Sequence, residues 1–82
     1  MLIKPLNSKV EKQLKKYGLD RKFKKQLALF ETNLSHPGLN TEKLEPKSVG
    51  LYSFRIDKKY RAIFRIRNSE VEIILITKHY QK

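Results

Sequence analysis

The stretch LYSFRIDKKYRAIFRIRNSEVEIILITKHY, residues 51–80, decides the fold. Apolar and polar side chains alternate in residues 51–56 and again in 60–67, which is the period of a β-strand. The polar break between these runs predicts a turn, and Asn68-Ser69 predicts a two-residue hairpin turn. The next run, residues 71–77, is rich in β-branched residues and predicts a central strand buried on both faces. Three consecutive strands with short turns predict an antiparallel meander.

The first half of the chain predicts two helices. Ser8 and Glu11 fit a capping box, Gly18 supplies a left-handed stop, and Asp20 is expected to cap the second helix. The apolar residues recur at spacings of four and three, as on one face of a helix. They are Val10, Leu14 and Tyr17 in the first helix, and Phe23, Leu27, Phe30 and Leu34 in the second.

The remaining segments complete the expected architecture. Leu2-Ile3 predicts a very short edge strand, and the residues from Ser35 to Ser48 have no strong period and are expected to form a loop. The sequence therefore predicts an α+β fold in a single domain over residues 1–82. In this fold a short N-terminal strand and an αα-hairpin pack on a C-terminal three-stranded antiparallel meander.

Charge is the strongest compositional signal. The 82 residues include 19 Lys and Arg against 8 Asp and Glu, a net charge of +11. Such an imbalance favours a polyanionic partner, most often nucleic acid, ahead of an acidic protein. A membrane partner is not expected, because the sequence shows no Trp/Phe-rich amphipathic helix to lie in a membrane surface and no apolar run that approaches the ~18 residues of a membrane span. The chain has no cysteine, which excludes disulfides and thiolate metal sites and fits a reducing cytoplasm.

Arginines collect on one face of the predicted meander. If the first hairpin turns at Lys58, Arg55 lies directly opposite Arg61, where like charges destabilise a sheet. The planar fork of arginine matches phosphate oxygens, so this pair indicates a phosphate site. Arg61 has no acidic partner in this register. The same face carries two further arginines with a structural alternative, since Arg65 and Arg67 oppose Glu72 and Glu70.

Acid and base candidates lie outside the strands. His79 can donate a proton near neutral pH, and Tyr80 can stack on a base, although a frayed terminus is the alternative. Glu42 and Glu45 are solvated acids by default, but a carboxylate near arginines is a candidate general base. His36, before Pro37, is interpreted as a helix-terminal residue.

The sequence contains no Gly-rich phosphate loop and no His or carboxylate cluster with metal-ligand spacing, so no metal or other cofactor is expected. RNA cleavage can proceed without a metal, because the 2′-hydroxyl is an internal nucleophile. Such a site needs a base, an acid and cations for the charge on phosphorus. Glu42, His79 and the Arg55/Arg61 pair are candidates for these three parts.

At this point the chain resembles a known family. The order of short strand, helix hairpin and meander is similar to the RelE/ParE superfamily of bacterial toxins. The segment Gly50-Leu51-Tyr52-Ser53-Phe54-Arg55-Ile56, followed by Tyr60-Arg61-Ala62-Ile63-Phe64, resembles its strand signature. The ending Lys78-His79-Tyr80 is closer to the YoeB-like branch of the superfamily. The chain departs from that branch at two places: Phe54 stands where the branch can have an arginine, and Gln81 and Lys82 follow the tyrosine.

The resemblance implies a ribosome-dependent messenger RNA endonuclease, cytoplasmic and neutralised by a cognate antitoxin. It implies that Glu42, eight residues before Gly50, is the base, with Glu45 as the alternative. Arg61 matches the phosphate-stabilising arginine and His79 the general acid. Tyr80 and Arg55 match substrate-binding positions, and Arg65 and Lys78 complete the expected substrate-binding set. Messenger RNA on the ribosome and ribosomal RNA, gripped by helix-face lysines, are the expected nucleic-acid partners.

Two other functions stay open from the sequence. ParE-like members of the superfamily poison DNA gyrase and need no catalytic acid or base, and the His79-Tyr80 ending argues against that function. A non-catalytic basic RNA-binding protein needs the arginine face but neither Glu42 nor His79.

Overall fold

Two helices cover one face of a mixed five-stranded sheet, and the computed structural model describes residues 2–78 of the chain. Short 3₁₀ turns at Pro37–Leu39 and Lys47–Val49 flank the second strand. The elements in chain order are β1 (Leu2–Ile3), α1 (Ser8–Lys16), α2 (Asp20–Thr32), β2 (Glu42–Lys43), β3 (Leu51–Arg55), β4 (Tyr60–Arg67) and β5 (Glu70–Lys78).

The sheet has the strand order β1-β5-β4-β3-β2, with β1 parallel to β5 and every other neighbour antiparallel. The predicted meander of β3, β4 and β5 is confirmed, as are the edge strand β1 and the register that sets Arg55 opposite Arg61. The expectation of an unbroken loop after α2 is wrong, because β2 pairs with β3. A strand of two residues is too short to leave a periodic signal in the sequence.

The turns follow the chemistry of their residues. Asn68 and Ser69 have φ values of 52° and 63°, the positive values that a type I′ hairpin turn requires. In the first hairpin the Asp57 carboxylate accepts hydrogen bonds of 2.8 Å from the backbone N–H groups of Lys59 and Tyr60. Gly18 has φ 64° between the helices, which confirms the left-handed stop.

Both predicted helix caps are wrong by one residue. Asn7, with extended backbone, caps α1, because its side-chain oxygen accepts from the Val10 N–H at 2.8 Å, and Ser8 is already helical. Leu19 occupies the N-cap of α2 without a side-chain hydrogen bond, and Asp20 is the first helical residue. There its carboxylate still complements the positive end of the helix dipole. The helix also ends at Thr32, before the predicted Ser35.

Aromatic rings from both layers form the centre of the core. Phe30 of α2 meets Phe64 of β4 edge-on at 5.1 Å and Phe54 of β3 at 5.2 Å. Strand β5 contributes Val71, Ile73 and Ile76 to this core, while the side chains between them are only half-buried. The prediction that this strand is buried on both faces is therefore wrong, because the helices cover one face of the sheet.

Two side-chain amides take the place of a strand along the outer edge of β5. Strand β1 pairs only with Glu70 and Val71. Further along, Gln13 of α1 donates to the Ile76 carbonyl at 3.1 Å and accepts from its N–H at 2.9 Å. Asn7 donates to the Ile73 carbonyl at 3.4 Å. These bonds fix α1 against the sheet.

Candidate active site

Arg61 is buried, with 4% of its surface exposed, on the sheet face away from the helices. Its Nε donates to the Ser53 hydroxyl at 2.8 Å, and its Nη2 donates to the carbonyls of Ser53, at 3.2 Å, and Asn40. The Arg61 side chain therefore extends across β3, and its guanidinium lies beside Asn40, the residue that follows the first 3₁₀ turn. The expectation that all four arginines share an open face is wrong for Arg61, because Asn40 and β2 lie over it.

Glu42 supplies the acidic neighbour that the strand register alone did not reveal. Its Oε2 lies 4.0 Å from Nη2 of Arg61, and 49% of its side chain is exposed. Burial lowers the pKa of the Arg61 guanidinium, the Glu42 carboxylate raises it and the charge of Arg55 lowers it. An arginine stays protonated despite such a shift. The site thus holds a fixed cation beside a solvent-accessible carboxylate.

The Arg61 guanidinium uses two of its three nitrogens for hydrogen bonds within the described residues. Its hydrogen bonds run through Nε and Nη2, so within residues 2–78 Nη1 has no protein acceptor. Arg55 stands directly opposite, exposed, and its Nε makes one long bond of 3.4 Å to the Asp57 carbonyl. Within the described residues the Arg61 guanidinium thus lies beside the Glu42 carboxylate and opposite the exposed Arg55, which suits binding of a phosphate diester.

Three of the predicted site residues have surroundings other than the Arg61 site, and two more lie outside the described residues. Arg65 donates to Glu72 at 2.8 Å and so lowers the pKa of that carboxyl, which is the structural alternative foreseen for it. Lys78 lies opposite Tyr60, and strand alternation sets it on the helix-covered face, away from Arg61. Glu45 is exposed after β2, and the ion pair with Arg61 comes from Glu42. His79 and Tyr80 lie outside the described residues.

Sequence reasoning missed the groups that hold Arg61 in place. Ser53 shares the arginine face by strand alternation with Arg55, and a small polar residue at such a position is the signal of its role. Asn40 acts through its backbone carbonyl, for which no side-chain signal exists. Gln26 of α2 donates to the carbonyls of Gly38 and Arg55, at 2.9 and 2.6 Å, and so joins the turn before Asn40 to the end of β3.

A cleft of about 600 Å³ opens on the other face of the sheet, beyond the end of α2. Tyr52, Phe64 and Ile66 line it from the strands. His36 also lines it, and its Nδ1 accepts from the Gly38 N–H at 2.9 Å, which places the residue at the start of a 3₁₀ turn. Among the described residues the His36 side chain makes its hydrogen bond to Gly38 and none to Arg55 or Arg61.

The part of the chain that the structure describes contains neither a cluster of metal ligands nor a helix that could span a membrane. Within residues 2–78 no three His, Asp or Glu side chains come together as metal ligands do. Over the same residues neither helix has the length and apolar character needed to cross a bilayer.

Comparison with known proteins identifies the family. The model of the ParE toxin of the type II toxin–antitoxin system, parDE, matches residues 6–82, nearly the whole chain. The chain belongs to the ParE toxin family. It is thus the toxin of a type II toxin–antitoxin system, and the resemblance to the RelE/ParE superfamily is confirmed.

Individual relatives of this ParE-family toxin are distant. An uncharacterized protein of Haemophilus influenzae is 40% identical over 45 residues, and this match covers 55% of the chain and 45% of the relative. The YoeB/ParE toxin from Agrobacterium tumefaciens has a TM-score of 0.73 at 17% identity, over 98% of this chain and 100% of that one. YoeB in a heterotetrameric YoeB-YefM toxin-antitoxin complex from Staphylococcus aureus has a TM-score of 0.68 at 22% identity, over 98% and 99% of the chains. These structures share the fold.

Proposed function

We propose that this toxin is a messenger RNA endonuclease that acts on the ribosome, uses the 2′-hydroxyl of RNA as nucleophile and needs no metal. The observation that supports this most directly is the arrangement around Arg61. A guanidinium held by Ser53 and Asn40, whose Nη1 has no acceptor among residues 2–78, lies 4.0 Å from the Glu42 carboxylate. A prepositioned cation beside a base is what an internal transfer at phosphorus requires.

The reaction uses each group once. Glu42 accepts the proton of the 2′-hydroxyl, and the resulting oxygen attacks the adjacent phosphorus. Arg61 and Arg55 stabilise the charge that develops on the phosphate oxygens. The bond to the 5′-oxygen breaks, and His79 protonates that oxygen as it leaves. The products are a 2′,3′-cyclic phosphate and a 5′-hydroxyl. Tyr80 is assigned to substrate binding in this proposal.

The direct test is cleavage of a messenger RNA on programmed ribosomes by the purified toxin, with and without a chelator. We expect 2′,3′-cyclic or 3′-phosphate ends and 5′-hydroxyl ends, formed equally well in the chelator. His79→Ala should slow cleavage by roughly 10²–10⁴, the usual contribution of a general acid. Arg67→Ala is the control, since Arg67 is exposed and lies opposite Glu70. Ends carrying a 5′-phosphate that disappear with the chelator would contradict the proposal.

An acidic antitoxin is the proposed protein partner. The support is the net charge of +11 together with the fold shared with YoeB in its complex with YefM. We expect expression of the free toxin to arrest growth and co-expression of the gene encoded beside it to relieve the arrest. High-level expression without harm and without a partner would count against both the toxin activity and the antitoxin.

Inhibition of DNA gyrase is the second candidate, favoured by the match to the ParE toxin model. It needs a binding surface but no acid or base. A supercoiling assay with purified gyrase separates the two candidates. Inhibition of gyrase that survives in Glu42→Gln and His79→Ala, with no RNA cleaved, would replace the endonuclease proposal.

A further inference from the structure

Gln26 of α2 joins two segments that carry the arginine site. Its Nε2 donates to the Gly38 carbonyl at 2.9 Å and to the Arg55 carbonyl at 2.6 Å, so both protons of the amide are used. Gly38 lies in the 3₁₀ turn that Asn40 follows, and Arg55 is the last residue of β3. One nitrogen therefore sets the width of the gap between this turn and the end of β3.

The Arg61 side chain spans the same gap from the opposite face of the sheet. Its Nη2 donates to the Ser53 carbonyl of β3 and to the Asn40 carbonyl, which follows the turn. Gln26 reaches the gap from the helix side of the sheet, whereas Arg61 reaches it from the side away from the helices. The position of the guanidinium thus depends on a width that Gln26 sets.

The strand ladder of residues 2–78 does not extend to this gap. Strand β2 pairs with Tyr52 and Ser53, and so it stops short of Arg55. A ladder is held by several backbone bonds, whereas the link between the turn and the end of β3 runs through one side-chain amide. A single substitution can therefore remove this link and leave every strand in place.

The attachment of α2 to the sheet rests on other residues. Phe23 and Phe30 of this helix are buried, and their rings lie 6.1 and 5.2 Å from the ring of Phe54 in β3. Burial of such rings is the dominant stabilising contribution of a helix packed on a sheet. The Gln26 side chain is only half-buried. We therefore expect α2 to stay in place when the Gln26 amide is removed.

We propose that Gln26 is a positioning residue for the arginine pair. Through the Gly38 carbonyl it fixes the turn, and with it the Asn40 carbonyl that holds Arg61. Through the Arg55 carbonyl it fixes the backbone that carries the second arginine. The inference deepens the proposed function and, in its kinetic part, rests on it. A charged group stabilises a transition state best when it is fixed in advance, and a misplacement of about 1 Å can cost about 10² in rate.

The test replaces Gln26 by methionine, an unbranched side chain without a hydrogen-bond donor. Asn7→Ala is the matched control, because it removes the cap of α1 and a bond to β5 and touches neither β3 nor the turn. Far-UV circular dichroism and the thermal midpoint verify that both variants fold. If Gln26→Met does not fold, Gln26→Asn takes its place, since its amide is one carbon shorter and loses at least one of the two bonds.

The first readout is the rotation of the Arg61 guanidinium about its Cζ–Nε bond. An anchored guanidinium gives separate NMR signals for its Nη protons, and these signals merge when rotation is fast. The Arg61 signals are assigned by their absence in Arg61→Lys. Rotation should be about 10-fold faster in Gln26→Met, as for loss of one charge-assisted hydrogen bond, and unchanged in Asn7→Ala.

The second readout is cleavage of messenger RNA on programmed ribosomes at temperatures below the unfolding transitions. In Gln26→Met kcat should fall by about 10² while KM stays within about two-fold of the wild-type value. Asn7→Ala should keep both constants, although it also lowers stability. A loss of kcat confined to Gln26→Met therefore cannot come from reduced stability alone.

Three results overturn the inference. They are wild-type rotation of Arg61 in Gln26→Met, a kcat for this variant equal to that of Asn7→Ala, and a raised KM with unchanged kcat, which indicates uniform binding. Failure of the proposed function is distinguishable from these results. If the wild type cleaves no messenger RNA, the endonuclease is disproved, and the rotation of Arg61 alone decides whether Gln26 positions its guanidinium.

Discussion

Lysine substitution at Arg61 and at Arg55 measures what the buried guanidinium contributes. The two residues face each other across β3 and β4, so Arg61→Lys and Arg55→Lys make the same chemical change in a matched pair. Arg61 gives three hydrogen bonds from two nitrogens, to the Ser53 hydroxyl and to the carbonyls of Ser53 and Asn40. The ammonium of lysine has three donors but only one nitrogen, which cannot occupy both the Nε and the Nη2 positions, so at least one of these three bonds is lost.

The expected effect on stability is large for a domain of this size. A hydrogen bond from a charged donor contributes about 1.5 kcal/mol at the low end of its range, so one lost bond lowers the free energy of unfolding by about 1.5 kcal/mol or more. For a domain of 82 residues, at about 4–8 °C per kcal/mol, the melting temperature falls by about 6–12 °C. Arg55 makes one long bond of 3.4 Å, and its replacement should change stability by at most about 0.5 kcal/mol.

Urea unfolding followed by circular dichroism measures the difference in stability between Arg61→Lys and Arg55→Lys. Cleavage on programmed ribosomes is measured at temperatures below the unfolding transition of both variants. Arg61→Lys should also lose about 10² or more in cleavage rate, because the ammonium group no longer presents a fixed donor to the phosphate. Equal unfolding midpoints for the two variants would refute the account of Arg61 as an anchored cation.

Three further predictions concern other contacts. Burial raises the pKa of Asp57, but hydrogen bonds outweigh burial and hold this pKa below its ordinary value. The Asp57 carboxylate therefore stabilises the fold above its ordinary pKa, and this stabilisation is lost as the pH falls through the lowered pKa. Asp57→Asn should therefore flatten urea stability curves between about pH 5 and 2 relative to wild type. Gln13→Leu removes both bonds to Ile76 and should destabilise by about 2 kcal/mol in urea unfolding, with faster hydrogen exchange at the Ile76 amide. Glu42→Gln should lower cleavage by roughly 10²–10⁴ while Glu45→Gln stays near wild type, and the reverse order would move the base to Glu45.

Sequence reasoning succeeded where a pattern extends over several residues. The alternation through Tyr52, Phe54 and Phe64 fixed which face of the meander meets the helices, and counting across the turn placed Arg55 opposite Arg61. A strand of two residues, β2, has no period to detect. The capping residue of α1 was missed because Asn7 and Ser8 are both good caps and the choice depends on backbone angles.

The candidate site was predictable in its members and not in its geometry. Arg61 and Glu42 were both singled out, but their proximity depends on β2, which brings Glu42 opposite Ser53. The burial of Arg61 depends on the Asn40 carbonyl, and a backbone carbonyl is present at every residue, so nothing in the sequence distinguishes this one. The role of Ser53 follows only once the direction of the Arg61 side chain is known.

The side-chain amides of Gln13 and Asn7 along the edge of β5 also affect whether copies of this chain aggregate. Residues 71–77 combine β-branched and apolar side chains, the composition of segments that stack into cross-β aggregates when their edge is open. Gln13 and Asn7 occupy that edge with hydrogen bonds that an incoming strand would need. Both belong to the N-terminal part of the chain, which leaves the ribosome before β5 does. The two side chains that cover this edge of β5 are therefore synthesised before the strand itself.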